Sequence, residues 1–451
     1  MKITILSMPV HYSIDLPGMS TMPPTAIYLL GTIMKKKGYD VDIIDPYEFR
    51  KLNPFDSSED EKLLKLLKKK LLGTDLVCVS SNTLNWSMTK VLCEAVRKLF
   101  PDIRIAIGGL HATYFAEYLM KTNSIDFVLR GDGEKSILEM ISAIEKKADY
   151  KEIRGLTWKD GEKIYSNPDV IPLSKNQIME TPIPDFSTVP KQVYDIMPVS
   201  TSKGCKYACR FCSIPHKKDW IGYESQWAAD RILKSVESYG ERFKNNQIYI
   251  VDDCFTADNK RAIQILKTIL NHNSDVEIIL EARASDLKDG ELLEVLQSKQ
   301  IVRIAIGVEC GYNIGLKNIN KGLTIELLEK RLQTFQKYDL IKKMFFSFII
   351  GFPWERTLDY KQTLDYAASI VQRFGYQNVN VNWLNLFPSE IWNNRDKYGI
   401  LVNEDIFDIH GMIKNPKIFR DTHPRVDEFT QKFIDKYVDD YKKNGISLIN
   451  G

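Results

Sequence analysis

Three cysteines stand close together in the segment TSKGCKYACRFCSIP (residues 201–215). The chain has only seven cysteines in 451 residues, and the other four are scattered. Thiolates bind zinc and iron–sulfur clusters, so Cys205, Cys209 and Cys212 predict a metal centre. A tight, odd-numbered group does not look like the disulfide framework of a secreted protein, and we therefore expect a reducing, cytoplasmic location.

Two kinds of metal centre fit this spacing. His216 follows Cys212 by four residues, so a closed zinc site of three cysteines and one histidine is one alternative. The other is a [4Fe-4S] cluster held by three cysteines, which leaves one iron open. The loop follows the first strand of a predicted βα barrel, at the end where such barrels build their active sites. This position favours the cluster and leaves His216 as an ordinary loop residue.

Composition gives no support for several other functions. Lys and Arg total 62 against 59 Asp and Glu, a net charge of +3 that shows no nucleic-acid-binding footprint. No segment approaches the roughly 18 uninterrupted apolar residues of a membrane span. The opening residues MKITILSMPV read as a buried strand, because no small-residue cleavage site follows them.

The first 150 residues alternate short apolar runs with helical patterns. The runs are apolar throughout, as expected for a parallel sheet covered on both faces. Residues 1–150 therefore predict an α/β domain with a doubly wound parallel sheet. The predicted strands are 2–8, 40–45, 75–81, 103–109 and 125–131.

The rest of the chain predicts three further regions. Residues 151–195 contain a hairpin pattern and a proline-rich linker. Residues 196–390 alternate strand and helix patterns again, and 391–451 read as a C-terminal cap. A closed barrel has about eight strands, so the six predicted here suit a partial (β/α)6 barrel. Those six strands are 196–202, 247–253, 276–283, 302–309, 343–351 and 377–387.

The cysteine segment resembles the C-x3-C-x-F-C signature of radical S-adenosylmethionine (SAM) enzymes. Segments at the ends of successive predicted barrel strands are also similar to that family: VDDCFTADNKR, EARAS, IGVECG followed by NKGLT, and IIGFPWE. The resemblance implies that the open iron binds SAM and that an electron from the cluster cleaves SAM to a 5′-deoxyadenosyl radical. It further implies that the cofactors are contacted by Phe211, Asp252, Asp253, Glu281, Arg283, Glu309 and Gly351.

The first domain is similar to the cobalamin-binding domain that precedes many radical SAM modules. The similar segments are PPTAIYLLGTIMKKKGYDVDIID, GGLHAT and GDGEKS, with Asp132 where the family has glutamate. The D-x-H-x-x-G motif is missing, so the resemblance implies cobalt without a protein histidine and makes the histidine of GGLHAT a turn residue. The residues implied near the corrin are Ser81, Asn82, Thr83, Leu84, Gly108, Gly109, His111, Gly131 and Glu134.

Together, these resemblances imply a cobalamin-dependent radical SAM methyltransferase that acts on an unactivated carbon. One SAM would methylate cobalamin, and a second would supply the radical that removes a substrate hydrogen. The implied cofactors are a [4Fe-4S] cluster, SAM and cobalamin. The implied partners are a small molecule or peptide as substrate and an electron donor of flavodoxin or ferredoxin type, with no nucleic acid.

Three alternatives remain open at this point. One is an enzyme of the same cofactors that performs a rearrangement, cyclisation or oxidation without methylating. The second is a methylthiotransferase, although that family has further cluster cysteines in its first domain and only Cys78 and Cys93 are available here. The third is a non-enzymatic corrinoid carrier stabilised by zinc.

Overall fold

The chain forms two compact units in its computed structural model. Among the described residues, the first unit comprises Met1–Ile196 and Tyr239–Lys244, and the second comprises Met197–Ser238, Asn245–Val402 and the C-terminal helix. Most of the predicted cap, residues 391–451, lies outside the described residues. The structure describes residues 1–9, 21–50, 52, 56, 59–272, 275–375, 379–400, 402, 428–444 and 446.

The first unit is built on a seven-stranded sheet. The strand order is β2-β1-β3-β4-β5-β6-β7, and β1 to β5 run parallel. This order confirms the predicted doubly wound sheet. The strands are β1 (Lys2–Ser7), β2 (Asp40–Ile44), β3 (Leu76–Ser80), β4 (Arg104–Gly108), β5 (Phe127–Leu129), β6 (Leu156–Asp160) and β7 (Lys163–Ser166). The helices are α1 (Thr25–Lys36), α2 (Asp60–Lys70), α3 (Trp86–Leu99), α4 (Leu110–Met120), α5 (Gly133–Lys146) and α6 (Lys175–Glu180).

The predicted hairpin extends this sheet. β6 pairs antiparallel with β5, and β7 pairs antiparallel with β6. The short helix α6 then begins at a capping box, in which Ser174 and Gln177 satisfy each other's backbone N–H groups. The hairpin is therefore part of the first unit.

The second unit contains a six-stranded parallel sheet in the order β15-β14-β13-β12-β11-β8. This sheet and its helices confirm the predicted partial barrel. The strands of this unit are β8 (Met197–Val199), β9 (Ser202–Lys203), β10 (Ile221–Gly222), β11 (Gln247–Ile250), β12 (Glu277–Ala282), β13 (Ile301–Glu309), β14 (Met344–Ile350) and β15 (Val379–Trp383). The helices are α7 (Ser225–Tyr239), α8 (Asn259–Asn271), α9 (Glu291–Leu296), α10 (Asn313–Asn318), α11 (Ile325–Lys337), α12 (Thr357–Phe374), α13 (Glu390–Asn393) and α14 (Glu428–Lys443).

Burial alternates along the central strands of the second sheet. On β12, Ile278, Leu280 and Ala282 are buried, whereas Ile279 is only half-buried and Glu281 is exposed. Strand side chains alternate between the two faces, so one face lies under the helices and the other faces the open side of the barrel. Within the part of the chain that the structure describes, no helix is long and apolar enough to cross a membrane.

Candidate functional site

The three clustered cysteines lie on one closed loop. β8 ends at Val199, earlier than predicted, and the chain turns away to form β9, which pairs antiparallel with β10. The loop between β9 and β10 carries all three cysteines, and the N–H of Cys205 donates to the carbonyl of His216 at 3.2 Å. The short ladder therefore closes the loop at its base.

Asp252 holds the start of this loop. Its carboxylate lies two residues beyond β11, is 3% exposed, and accepts four hydrogen bonds. The donors are the N–H and hydroxyl of Thr201, both at 2.5 Å, and the N–H and hydroxyl of Ser202, at 3.2 and 2.6 Å. Burial raises the pKa of Asp252, against the lowering effect of these bonds. The structure thus engages Asp252 with protein donors, where the sequence implied a contact with SAM.

Arg261 joins the two sides of the loop base. Its Nε donates to the carbonyl of Tyr223 at 2.8 Å, and its Nη2 donates to the carbonyl of Thr201. The indole of Trp220 lies 5.6 Å from the guanidinium carbon of Arg261. Because Arg261 comes from α8, one helix fixes both strands that lead into and out of the cysteine loop.

The cysteine thiols have different electrostatic surroundings. A hydrogen bond from Cys254 is the main cause that lowers the pKa of Cys205, to about 6, with the guanidinium of Arg283 as a weaker cause. Burial raises the pKa of Cys212. The thiolate is the form that binds metal, so the lowered value at Cys205 fits a ligand. Nη1 of Arg283 lies 3.5 Å from Sγ of Cys209, which places a cation beside a second sulfur.

The described residues do not bring a set of ligands for a single zinc ion together. Among the described residues, no three or more His, Cys, Asp or Glu side chains converge on a point where one metal ion could bind. The predicted zinc site needs such convergence of Cys205, Cys209, Cys212 and His216. Ligands of an iron–sulfur cube bind different iron atoms and have no common point.

Two acidic residues implied near SAM have different surroundings. Burial, followed by the charge of Asp252, raises the pKa of Asp253 to about 6. Glu281 is exposed on the open face of β12 and accepts a hydrogen bond from the hydroxyl of Tyr249. Both carboxylates lie at the ends of neighbouring parallel strands, as predicted.

Glu309 is engaged in a buried ion pair. Its Oε1 lies 2.7 Å from Nζ of Lys321, and both side chains are 9% exposed. Its backbone has a φ of 77°, a conformation that is unusual for a residue other than glycine. Lys321 belongs to the NKGLT segment, so the ion pair joins two of the segments that resemble the family.

The turn after β14 is organised by a glutamate that the sequence did not single out. The buried Glu355 accepts hydrogen bonds from the N–H groups of Gly351 at 2.7 Å and Phe352 at 2.8 Å, and the hydroxyl of Tyr312 lies 3.1 Å away. Gly351 has a φ of +95°, which favours glycine. The ring of Phe211, from the cysteine loop, packs edge-on against Phe352 with 5.9 Å between centroids.

Glu355→Gln is expected to weaken the pH dependence of stability. Burial raises the pKa of Glu355 from 4.5 to about 8. Between these values the folded state holds a proton that the unfolded state lacks, so stability falls as the pH rises from about 4.5 to about 8. The measurement is the thermal midpoint Tm of both proteins at about pH 5 and pH 8. The Tm of the wild type should fall more than that of the variant over this interval. Equal decreases would refute the raised pKa of Glu355.

The cysteine loop is braced by segments far along the chain. The N–H of Arg210 donates to the carbonyl of Ile319 at 3.0 Å, and its Nη1 donates to the carbonyl of Asn318 at 3.1 Å. Nδ2 of Asn320 donates to the carbonyl of Ala208 at 2.9 Å. The carbonyls of Asn318 and Ile319 lie at the C-terminal end of α10, where backbone acceptors lack helical partners.

Arg210 also contacts the boundary between the predicted barrel, which ends at residue 390, and the predicted cap. Its Nε lies 3.1 Å from Oε1 of Glu390, and its carbonyl accepts from the N–H of Ile391 at 3.3 Å. Both ion-pair side chains are about half-exposed, so we attribute little stability to the charges themselves. The described start of the cap region thus contacts the cysteine loop directly.

In the first unit, the loop after β3 is fixed by its own side chains. Oδ1 of Asn82 accepts from the N–H groups of Leu84 and Asn85 at 2.9 and 3.1 Å. Oδ1 of Asn85 accepts from the N–H of Asn82 at 2.9 Å and from the hydroxyl of Ser81 at 3.1 Å. This loop holds the residues implied beneath the corrin, including Thr83, in one conformation.

The structure of the neighbouring turns explains why two of the residues implied near the corrin are glycines. Gly109 has a φ of +98°, and a Cβ there would collide with the carbonyl of Ser81. Gly131 has a φ of +74°, and a Cβ there would collide with Val170. Gly108 ends β4, and Glu134 lies in the first turn of α5. Protein packing is therefore sufficient to require glycine at 109 and 131.

His111 lies inside the first unit. It is 0% exposed, in the first turn of α4, and its ring stacks on Trp86 with 5.0 Å between centroids. Its Nδ1 lies 3.3 Å from the hydroxyl of Thr83. The sequence implied a turn residue near the cofactor, but a fully buried ring offers no exposed nitrogen, so we do not propose a direct contact with a ligand.

The sequence matches two known families, one in each unit. Residues 199–367 match the radical SAM superfamily, and residues 19–141 match the B12 binding domain. Together with the cysteine loop and the partial barrel, these matches define a radical SAM enzyme. The chain belongs to the radical SAM enzymes that carry a B12-binding domain, which confirms the expected enzyme class with its [4Fe-4S] cluster and SAM.

Curated relatives span the same two regions. An uncharacterized methyltransferase of Pyrococcus horikoshii is 27% identical over 82% of this chain and 78% of its own. An anaerobic magnesium-protoporphyrin IX monomethyl ester cyclase of Cereibacter sphaeroides is 25% identical over 80% of this chain and 58% of its own. The chain thus spans little more than half the length of that cyclase.

Solved structures share the fold. The radical SAM methyltransferase TsrM from Kitasatospora setae, with tryptophan and a SAM analog bound, has a TM-score of 0.66 at 16% identity, over 89% of this chain and 77% of its own. The cobalamin-dependent radical SAM enzyme OxsB, in its apo form, has a TM-score of 0.68 at 17% identity, over 98% of this chain and 67% of its own. At these identities the likeness establishes the architecture of the chain.

Proposed function

We propose that the chain is a cobalamin-dependent methyltransferase that places a methyl group on an unactivated carbon. The observation that carries the proposal is the union of a B12-binding match over residues 19–141 with a radical SAM match over 199–367 in one chain. The relatives named as methyltransferases, among them that of Pyrococcus horikoshii and TsrM, support this choice of reaction. When bound, the cluster and SAM supply a 5′-deoxyadenosyl radical, and cobalamin supplies the methyl group.

In this proposal Cys205, Cys209 and Cys212 hold the cluster. The closed loop, the lowered pKa of the Cys205 thiol and the guanidinium beside Cys209 support their role. Nε of Arg283 is buried and, among the described residues, has no hydrogen-bond partner, as expected beside a site that receives a further group.

The remaining residues of the barrel divide between contact and support. We propose that Asp253, Glu281 and the turn at Gly351 contact SAM, because they lie at the ends of the parallel strands β11, β12 and β14. Asp252 and Glu309 are proposed to support these contacts from beneath, since each is buried and already paired. Phe211 links the cysteine loop to the turn at Gly351 through its packing on Phe352.

In the first unit, we propose that the loop after β3 lies beneath the corrin. Its internal hydrogen bonds present it as a rigid floor, which supports binding without later ordering. The proposed contacts are Ser81, Asn82, Thr83, Leu84, Gly108, Gly109, Gly131 and Glu134. We further propose a cytoplasmic enzyme, a small-molecule or peptide substrate, and an electron donor of flavodoxin or ferredoxin type, without nucleic acid.

Of the alternative functions, a non-methylating reaction keeps specific support and a methylthiotransferase loses it. The cyclase of Cereibacter sphaeroides, 25% identical, favours a non-methylating reaction as the second candidate. A methylthiotransferase would need ligand cysteines in the first unit, but Cys78 and Cys93 are both buried, and burial raises the pKa of each to about 12. Those thiols are poor candidates for cluster ligands.

The test follows the methyl group without requiring the substrate. Reduced, cobalamin-loaded enzyme is incubated with methyl-deuterated SAM, and cobalamin and SAM products are analysed by mass spectrometry. A methyltransferase should give deuterated methylcobalamin with S-adenosylhomocysteine, and it should also give 5′-deoxyadenosine. Formation of 5′-deoxyadenosine with unlabelled cobalamin would favour the non-methylating alternative, and formation of neither product would refute both.

A further inference from the structure

Arg283 lies directly after β12, and its guanidinium contacts three protein groups. Its guanidinium carbon lies 3.6 Å from the centroid of the Tyr207 ring. Its Nη1 lies 3.5 Å from Sγ of Cys209, and its Nη2 donates to the carbonyl of Lys321. The sequence implied that Arg283 contacts SAM, but two of its three nitrogens are already engaged by the protein.

The groups around Arg283 are themselves held in place. The hydroxyl of Tyr207 donates to Oδ1 of Asp286 at 2.6 Å. Lys321 is fixed through its buried ion pair with Glu309, at 2.7 Å. The guanidinium is therefore held in position by protein groups, and its charge lies beside the sulfur of Cys209.

We propose that Arg283 raises the reduction potential of the cluster by acting through Cys209. A hydrogen bond to a ligand sulfur, and a positive charge beside it, stabilise the cluster state that carries more negative charge. Reduction adds one electron to the cluster, and the donor loses that electron. Arg283 thus makes the cluster easier to reduce by a low-potential electron donor. The inference rests on the proposed function, because it requires the cluster at Cys205, Cys209 and Cys212.

The geometry separates this role from a contact with SAM. A SAM ligand affects the cluster only when SAM is present, whereas the bond to Cys209 acts in its absence. A change in the reduction potential measured without SAM, when Arg283 is replaced, therefore cannot come from a contact with SAM.

The experiment is a redox titration of the anaerobically purified, full-length protein without SAM. The electron paramagnetic resonance signal of the reduced cluster is followed while a titanium(III) reductant is added. Arg283→Gln removes the charge and should shift the midpoint to a more negative value. We expect at least a tenfold loss in the equilibrium for reduction, which is about 59 mV for a one-electron couple. Arg283→Lys keeps the charge but loses the planar group, and should give a smaller shift in the same direction.

Arg373→Gln is the matched control. Arg373 lies on α12 and makes two bonds of 3.0 Å to Glu329, so its replacement also removes a paired arginine from the second unit. Its midpoint should equal that of the wild type.

Each outcome decides the inference. Iron-loaded Arg283→Gln and Arg283→Lys with the wild-type midpoint would overturn it. Loss of iron from both variants would also overturn it, because Arg283 would then be needed to hold the cluster, not to tune it. A wild type without iron would instead refute the proposed function, so the two failures are distinguishable.

Discussion

Replacing Cys209 by alanine should abolish cluster binding and SAM cleavage together. Cys209 is a proposed cluster ligand, and a cluster left with only two of its protein thiolates should not persist. Loss of a residue that only orients a metal ligand costs 10- to 100-fold in affinity or activity, so loss of the ligand itself should cost at least about a hundredfold. The measurements are iron content after anaerobic purification and the rate of 5′-deoxyadenosine formation.

Cys93→Ala is the control for this experiment. Cys93 is also a buried cysteine, but it lies on α3 in the first unit. It should retain the iron content and SAM cleavage of the wild type. Wild-type iron content and SAM cleavage in Cys209→Ala would show that another residue holds the cluster.

Gly204→Ala should have the second largest effect, because Gly204 closes the cysteine loop. It has a φ of +70°, and a Cβ would collide with the carbonyl of Asp219 and lie 3.0 Å from that of His216. Both obstacles are backbone atoms on the other side of the loop, so the loop itself must move. We expect a loss of about 2–5 kcal/mol in stability, from backbone strain together with overpacking. Iron content should fall several-fold.

A second glycine separates the two causes. Gly73 has a φ of +75°, and a Cβ there would meet nothing within 4 Å. Gly73→Ala therefore adds backbone strain alone and should cost about 1–2 kcal/mol with iron content unchanged. Iron content and thermal stability are measured for both variants. Equal changes in iron content and thermal stability in Gly204→Ala and Gly73→Ala would show that close packing at the loop base contributes to neither.

Much of the fold could be predicted because the apolar runs are local signals. Residues 103–109 predict a strand that the structure places at Arg104–Gly108, and residues 302–309 predict one found at Ile301–Glu309. The pairing of strands depends on contacts between residues distant in sequence, so the sequence did not reveal that β6 pairs with β5 in the first sheet. The first barrel strand was predicted too long, because it ends at Val199 and Ser202 pairs with Gly222 in a separate ladder.

The site was predictable in position more than in contacts. Strand ends are readable from the sequence, so Asp252, Asp253, Glu281 and Glu309 were placed at the correct edge of the barrel. Whether each carboxylate is engaged by other protein groups depends on partner residues that are distant in sequence. Ser202 engages Asp252, and Lys321 engages Glu309. Glu355 was missed because a glutamate after a glycine-rich turn gives no signal of burial.

The most direct test of the account is Mössbauer spectroscopy of the anaerobically purified protein with and without SAM. Three protein thiolates should leave one iron of a [4Fe-4S] cluster open to SAM. We predict that addition of SAM changes the signal of one iron in four and leaves the others unchanged. An intact cluster whose four irons are all insensitive to SAM, or a folded and active protein without iron, would contradict the central claim.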